Sequence, residues 1–184
     1  PRRVGKAFFD LHVGWTAVFA ILAALHYRQR TGIGQWIDFA MYQVGVSTMG
    51  DVILDFISNG RNGSVMGNRH PYMAPHGVYP CKGNDRWIAI AVENDKQWLA
   101  LSYIIDQRVW TDRVEFASMN SRWRNQDELD HYISQWTKYL SDAVLMKILQ
   151  GQGVPAASIM NSRDILTDPH MRARGFYELI KHSP

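Results

Sequence analysis

The sequence predicts an α/β protein whose second lobe is of the α+β type, and two observations support this. A long alanine-rich helix, a short strand candidate and a second helix follow one another up to about Ile57. From Gly77 onwards the pattern changes to two strand candidates joined by a turn, followed by helices and a last strand candidate. Strands that alternate with helices indicate an α/β fold, whereas grouped strands followed by helices indicate α+β.

The composition is that of a folded domain of ordinary size. Of the 184 residues, 46% are hydrophobic and 20% are charged, so the chain can bury a core. Cys81 is the single cysteine, which excludes an internal disulfide framework and a cysteine-rich metal site and indicates a reducing, cytoplasmic location. The net charge of +3 suits an anionic ligand and is too small to indicate nucleic-acid binding. No spacing of His, Cys, Asp and Glu indicates a metal site.

The first helix is predicted over residues 11–29, because its many alanines favour helical structure. It is apolar on nearly all sides, so it is expected to be buried on most faces. Its uncharged run, residues 13–25, is shorter than the roughly 20 residues that cross a bilayer. The sequence therefore predicts no membrane span.

The remaining elements follow from periodicity and from turn residues. Residues 35–39 form a strand candidate and residues 40–57 a second helix. A long irregular segment with several glycines, residues 59–75, comes next, and loops of this length are often functional. The later elements are predicted as strands over 77–80 and 87–92, a helix from Asn94 to about Ile105, helices over 127–139 and 142–150, and a strand over 154–159.

Asp10 lies directly before the first predicted helix, and two roles are open to it. An aspartate at this place can cap the helix, because its side chain accepts a hydrogen bond from a free N–H group of the first turn. A carboxylate beside a buried helix is also well placed to act as a nucleophile. The surrounding fragment alone favours the cap, and the rest of the chain changes that balance.

Five segments occur in a fixed order along the chain. They are Asp10 with Gly14, residues 28–35 with Asp38, residues 67–71 with Ala74, Pro75 and Tyr79, residues 87–92 with Trp98, and residues 153–157 with Asp168 and Pro169. Each segment alone is a weak indication. Together, in this order and at compatible spacing, they resemble the class III CoA-transferase family of the CaiB/BaiF type. The resemblance covers nearly the whole chain.

The resemblance implies that the chain is part of a longer protein, since members of the family are roughly twice as long. It implies the family III fold, with the end of the large CoA-binding domain in residues 1–58 and a connecting loop in 59–76. Residues 77–160 would form the small α+β domain, and residues 161–184 would return towards the large domain. Most CoA contacts would precede Pro1. The family forms interlocked homodimers, so a homodimer is the implied assembly.

The resemblance also implies a reaction. Asp10 would be the catalytic aspartate, which receives CoA from an acyl-CoA in a covalent aspartyl intermediate and passes it to a carboxylic acid. Coenzyme A is then a substrate, and neither a metal ion nor a membrane or nucleic-acid partner is expected. Arg28 and Arg30 are candidates for a CoA phosphate, with helix-end capping as an equal alternative. The candidates for substrate binding are Gly67, Asn68, His70, Tyr72 and His76, and for the histidines structural hydrogen bonding is the alternative.

Two other functions remain open from the sequence. An alpha-methylacyl-CoA racemase shares the fold and uses the equivalent aspartate as an acid/base group. It needs a partner histidine from the N-terminal half, which this sequence does not contain. The second alternative is a catalytically silent chain that acts as a substrate lobe or a dimerisation module. The sequence does not identify the acyl group.

Overall fold

The computed structural model describes residues 7–178 and 180. Its helices are α1 (Phe8–Thr31), α2 (Met41–Ser47), α3 (Gly50–Asn59), α4 (Asp95–Ile105), α5 (Arg108–Thr111), α6 (Met119–Arg124), α7 (Gln126–Thr137), α8 (Asp142–Gly151), α9 (Ser162–Thr167) and α10 (Pro169–Ala173), with a 3-10 turn at Val114–Phe116. Its strands are β1 (His76–Pro80), β2 (Trp87–Ala91) and β3 (Ala156–Ser158). The mixture of helices with a small antiparallel sheet confirms the predicted mixed class.

The chain divides into two compact units, residues 1–65 and residues 66–184. The first unit contains α1 to α3, and the second contains the sheet and all later helices. The finer domain limits at residues 58, 76 and 160 stay a prediction.

Helix α1 is longer and more exposed than the sequence predicted. It begins at Phe8 and ends at Thr31, and the capping residue Gly32, with φ 75°, donates its N–H to the Arg28 carbonyl at 2.8 Å. No residue of α1 is buried, so the prediction of a buried helix is wrong for the described chain. The physical reason is that a helix with apolar residues on all sides needs neighbours on all sides. Within its own unit, α2 packs against one part of α1.

Helix α1 also has the length and composition of a membrane-spanning helix. It has 24 residues and contains an 18-residue window of mean hydropathy 1.7. The argument that residues 13–25 are too short is therefore wrong, because the helix continues well beyond its uncharged run. Core helices of soluble proteins meet the same criteria, so the expectation of no membrane partner stays a prediction.

Two other predictions fail in the first unit. Residues 35–39 form no strand, because the described residues 7–65 of this unit contain no neighbouring strand to complete their hydrogen bonds. The helix predicted over residues 40–57 is two helices, α2 and α3, with a break at Thr48 and Met49. The hydroxyls of Ser47 and Thr48 donate to the carbonyls of Val44 and Gly45, both at 2.7 Å, and these side-chain bonds compete with continued helix formation.

The second unit is built on an antiparallel sheet in the order β1-β2-β3. Strands β1 and β2 form the predicted hairpin, in which Tyr79 pairs with Ile88. Cys81 N–H donates to the Arg86 carbonyl at 2.8 Å and closes the connecting turn. Strand β3 pairs with β2 through Ala89 and Ala157, and it is shorter than predicted. The hairpin could be predicted because alternating residues flank a turn-forming sequence.

The two faces of this sheet have different surroundings. Successive side chains of a strand point to opposite faces. Tyr79, Ile88 and Ile90 point into the core, where they are at most 2% exposed. Helices α4, α7 and α8 complete that core with buried side chains that include Leu101, Leu129, Ile133, Leu145 and Leu149. The opposite face, which carries His76 and several alanines, borders a cavity.

Gly77 lies on the core face, and its missing side chain is required there. A Cβ atom at this position would lie 2.9 Å from the Tyr79 hydroxyl and 3.0 Å from its ring carbon Cζ. Tyr79 cannot move aside easily, because its ring is buried and its hydroxyl donates to Asp130 at 2.8 Å.

We therefore expect Gly77→Ala to lower the free energy of unfolding by about 1–3 kcal/mol, as overpacked sites do. The measurement is the urea unfolding midpoint of the full-length protein. Gly151→Ala is the matched control, since a Cβ atom there meets no atom within 4 Å. Equal midpoints for the two variants would contradict the argument.

Candidate functional site

Asp10 lies inside the first turn of α1, as the third residue of the helix. The expectation that it precedes the helix is wrong, and it does not take the alternative role of a cap. The capping residue is Ala7, in the left-handed conformation with φ 63°, and no side chain caps this end. The helix begins earlier than predicted, and Phe8 and Phe9 are its first two residues. The side chain of Asp10 is exposed, and its carboxylate accepts no hydrogen bond from a described residue.

The start of α1 is an environment that favours a negative charge. The first intrahelical bond runs from Leu11 N–H to the Ala7 carbonyl at 3.2 Å. The N–H groups of Phe8, Phe9 and Asp10 therefore have no acceptor within the helix. These N–H groups carry the positive end of the helix dipole, which stabilises a carboxylate or an oxyanion nearby. Asp10 is thus an exposed carboxylate next to amide donors that have no acceptor within the helix.

An apolar cavity of about 510 Å³ lies beside this helix start within the first unit. Phe9, the neighbour of Asp10, is one of its walls, and Met41, Tyr42 and Met49 contribute others. The ring of Phe9 packs so closely on Gly45 that a Cβ atom there would lie 3.3 Å from Phe9 Cε1.

Arg28 and Arg30 lie in the last turn of α1 and are exposed. Cations at this end of a helix interact favourably with its dipole. Within the described residues neither side chain forms an ion pair. A role for either of them in CoA binding stays a prediction.

A second cavity, of about 670 Å³, lies within the second unit. Three of the predicted substrate-binding residues line it: Gly67, Asn68 and His76. His70 and Tyr72 are not among its walls. Arg69, which the sequence did not single out, lines the cavity between Asn68 and His70. Small apolar residues of the sheet face opposite the core also line it, with Val78, Ala89, Ala91 and Ala157 among them.

His76 has one ring nitrogen bound and one left for a ligand. Its Nδ1 lies 2.6 Å from the Asn68 carbonyl oxygen. A carbonyl oxygen can only accept a hydrogen bond, so Nδ1 carries the proton. Nε2 is then the nitrogen left to contact a ligand in the cavity.

Arg69 belongs to a charged network that fixes the loop to the rest of its unit. Its Nη2 group donates to Asp127 at 2.5 Å and to Asp130 at 3.0 Å. Asp130 also accepts from the Tyr79 hydroxyl, which joins the network to β1. The hydrogen bond with Asp127 is the largest of the effects that raise the pKa of Arg69, so the guanidinium stays charged. Burial is the main cause that raises the pKa of the Tyr79 hydroxyl, which stays neutral and donates.

His70 and Tyr72 form an aromatic cluster with His76. The His70 ring meets Tyr72 edge-on at 4.3 Å between centroids and lies 5.2 Å from His76. The His70 carbonyl accepts from Trp123 Nε1 at 3.0 Å, which ties the loop to α6. His70 Nδ1 is buried without a hydrogen-bond partner among the described residues. A role for His70 or Tyr72 in substrate binding stays a prediction.

Neither the single cysteine nor a cluster of metal-ligating side chains provides a further site among the described residues. Burial raises the pKa of the Cys81 thiol to about 11, so this cysteine is not poised to act as a nucleophile. Among residues 7–178 and 180, no cluster of three His, Cys, Asp or Glu side chains could hold a metal ion.

Comparison with known proteins relates the whole chain to one family. Residues 1–184 match CoA-transferase family III. A succinyl-CoA:mesaconate CoA-transferase from Haloarcula marismortui is 33% identical over 95% of this chain and 43% of its own length. A succinyl-CoA–D-citramalate CoA-transferase from Chloroflexus aurantiacus is 31% identical, with the same two coverages.

A similar relation holds for solved structures. The crystal structure of a CaiB/BaiF family protein from Brucella suis superposes with a TM-score of 0.83 at 31% identity. The superposition covers 95% of this chain and 46% of that protein. The chain thus spans less than half the length of the relatives that it matches.

Proposed function

Because the chain belongs to CoA-transferase family III, we propose that the full-length protein transfers CoA from an acyl-CoA to a carboxylic acid, with Asp10 as the residue that carries CoA between them. The observation that carries this proposal is the exposed Asp10 carboxylate in the first turn of α1, within a chain that matches the family throughout. The two relatives described above are named as transferases, and this favours CoA transfer over racemisation.

In the first half-reaction, the Asp10 carboxylate attacks the carbonyl carbon of the acyl-CoA thioester. The C–S bond breaks, CoA leaves as a thiolate, and the acyl group forms a mixed anhydride with Asp10. The thiolate then attacks the aspartyl carbonyl of the anhydride. The donor acid leaves as a carboxylate, and CoA remains on Asp10 as a thioester. Covalent catalysis of this kind divides one difficult transfer into two easier steps.

The second half-reaction reverses these steps with the acceptor acid. Its carboxylate attacks the aspartyl thioester and releases CoA thiolate, which then attacks the acceptor carbonyl of the new anhydride. The products are the acceptor acyl-CoA and a free Asp10 carboxylate. Each attack creates an oxyanion, and the N–H groups of Phe8 and Phe9 are donors of the type that stabilise one.

We extend the proposal to substrates, assembly and location. The named relatives use succinyl-CoA with mesaconate or D-citramalate, so a dicarboxylic acid is the proposed substrate class. CoA enters as the thioester substrate, and no metal ion takes part in these steps. The proposed assembly is the interlocked homodimer of the family, and the single cysteine supports a cytoplasmic location.

Intact-mass spectrometry of the full-length protein after incubation with a panel of acyl-CoA esters tests this function. We expect a mass increase that corresponds to bound CoA, and its loss when a dicarboxylic acid is added together with the appearance of a new acyl-CoA. The control is incubation in deuterated water. Exchange of the substrate's alpha-proton without bound CoA and without transfer would contradict the proposal and favour the racemase.

A further inference from the structure

Residues 67–76 form a loop that borders the cavity of the second unit. Gly67, Asn68 and Arg69 line the cavity at the start of this loop, and His76 lines it at the end. No helix or strand includes residues 67–75. A loop beside a cavity can be a lid that closes over a ligand, or it can be a fixed wall. The two cases differ in how many contacts hold the loop when no ligand is present.

Helix α6 holds the loop at two points. Arg122 Nε donates to the Ala74 carbonyl at 3.0 Å. Trp123, the next residue of the helix, donates from Nε1 to the His70 carbonyl, also at 3.0 Å. Arg122 and Ala74 are both 0% exposed, so water does not compete for the first of these bonds. Two consecutive residues of one helix therefore bind carbonyls that lie four positions apart in the loop.

Helix α6 is itself bound to other parts of the second unit. Arg122 Nη1 donates to the Phe116 carbonyl at 3.0 Å, and its Nη2 donates to Asp95 at 2.6 Å. Phe116 belongs to the buried core. The Ser118 hydroxyl caps the start of α6 and accepts from the Ser121 N–H at 3.2 Å. The helix is therefore a fixed support, and its contacts restrain the loop relative to the core.

A second set of contacts holds the ends of the loop. The Arg69 guanidinium donates to Asp127 and Asp130, which both lie on α7. His76 Nδ1 donates to the Asn68 carbonyl at 2.6 Å, and this bond joins the two ends of the loop to each other. Because these contacts do not involve α6, the loss of one set leaves the other in place.

An opening motion of the whole loop would break both sets of contacts together. Segments that open readily have few buried contacts and exposed hydrogen bonds, whereas this loop has a fully buried bond to Arg122. Residues 71–73, at the tip of the loop, have no backbone hydrogen bond to a described residue. Local motion is therefore confined to this tip, which does not include the residues that line the cavity.

On these grounds we propose that α6 and the ion pairs of Arg69 fix residues 67–76 as a permanent wall of the cavity, and that this loop does not open and close as a lid. Arg122 and Trp123 are then positioning residues for the wall. A wall that is already fixed loses little conformational freedom when a ligand binds. The inference concerns the second unit alone and does not depend on the proposed function.

Native-state digestion of the full-length protein with trypsin tests this inference. Trypsin can cleave after Arg69 only when the guanidinium leaves its two carboxylates and enters the protease. When opening and closing are fast, the cleavage rate follows the population of the open loop. We expect slow cleavage in wild type. Trp123→Phe removes the donor to His70, so we expect cleavage after Arg69 to become about five- to tenfold faster, as the loss of one hydrogen bond predicts.

Trp136→Phe is the matched control, because Trp136 is also a partly buried tryptophan and its indole has no hydrogen bond to a described residue. We expect its cleavage after Arg69 to stay within about twofold of wild type. Digestion in urea verifies that the site is cleaved once the chain is unfolded. Equal rates for wild type and Trp123→Phe, including no cleavage in either, would overturn the role of α6. If Trp123→Phe does not fold, Asp127→Asn is the second variant, with an expected increase of about two- to threefold because exposed ion pairs contribute little.

Digestion with saturating succinyl-CoA distinguishes a wall from a lid. A lid that closes over a ligand is protected by it, so cleavage after Arg69 would slow more than at other sites of the protein. A fixed wall is equally protected with and without the ligand. We expect the rate after Arg69, relative to the other cleavage sites, to change by less than about twofold. Slowing by more than about tenfold that is confined to Arg69 would overturn the inference in favour of a lid.

Discussion

Asp10→Ala is expected to lower the rate of CoA transfer by a factor on the order of 10⁴, with no bound CoA in the mass spectrum. The reason is that alanine provides no nucleophile, and uncatalysed exchange between a thioester and a carboxylate is slow. Asp10→Asn should be equally inactive, because an amide of the same shape does not attack a thioester. Asp10→Glu keeps the carboxylate but displaces it by one methylene, so we expect it to retain a small part of the activity.

These variants are expected to fold normally. The structure shows the Asp10 side chain as exposed and without a hydrogen bond to any described residue. Loss of a favourable charge near the helix start lowers the free energy of unfolding by about 0.3–1 kcal/mol. The unfolding midpoint of the full-length protein checks this expectation.

Asp51→Ala provides a matched control for Asp10→Ala. Asp51 is also an exposed aspartate in the first turn of a helix, in this case α3. We expect its CoA transfer rate to stay close to wild type. Transfer that survives in Asp10→Ala above about a tenth of the wild-type rate would rule out the aspartyl intermediate. An equal loss of CoA transfer rate in both variants would show that removal of a charge from the first turn of a helix causes the effect, and not the loss of a nucleophile.

Arg122→Met is expected to destabilise the second unit by about 3 kcal/mol, through the loss of the three hydrogen bonds that this buried side chain donates to oxygen atoms. Arg122 lies on α6 and is 0% exposed. Its Nε and Nη1 donate to the carbonyls of Ala74 and Phe116, both at 3.0 Å, and its Nη2 donates to Asp95 at 2.6 Å. The guanidinium also lies 4.9 Å from the centroid of the Trp98 ring.

The two backbone carbonyls dominate this expected loss. Asp95 is 63% exposed, so its carboxylate is solvated again when the arginine is removed. The carbonyls of Ala74 and Phe116 lose a donor in the buried part of the structure, and each such loss costs about 1–3 kcal/mol. Burial lowers the pKa of Arg122, but the side chain stays protonated at physiological pH.

Arg124→Met is the control for Arg122→Met, because Arg124 is an exposed arginine on the same helix. Its change in unfolding free energy should stay within about 0.5 kcal/mol. The measurement is the urea unfolding midpoint of the full-length protein. Arg122→Lys keeps a charge but not the planar arrangement of donors, so we expect an intermediate loss. A shift for Arg122→Met no larger than that for Arg124→Met would contradict the role of Arg122.

Elements defined by local interactions could be predicted from the sequence, and elements that need distant partners could not. The hairpin of β1 and β2 and the helix after Asn94 were predicted well, because a turn sequence and a capping side chain lie within a few residues of the elements they define. Asn94 accepts from the Gln97 N–H at 3.0 Å, which is such a local interaction. The strand predicted over residues 35–39 failed because strand formation needs a distant partner.

The sequence by itself determined the family and the mixed fold class, because these rest on residue order and on local propensity. The start of α1 before Asp10 was missed by three residues, since Ala7 caps it in a left-handed conformation that its sequence does not predict. Helix ends are in general the least certain part of such a prediction.

Only the tertiary structure decided what Arg69 and Arg122 do. Arg69 meets Asp130 across 61 positions of the chain, and Arg122 meets the Ala74 carbonyl across 48. A charged residue in a sequence is predicted to be solvated, because most charged residues are exposed. Its burial or pairing depends on which distant segments the fold brings together. For the same reason the face of the sheet that borders the cavity could not be predicted. The alternation of side chains along a strand assigns its residues to two faces of the sheet. The packing of helices decides which of the two faces is covered.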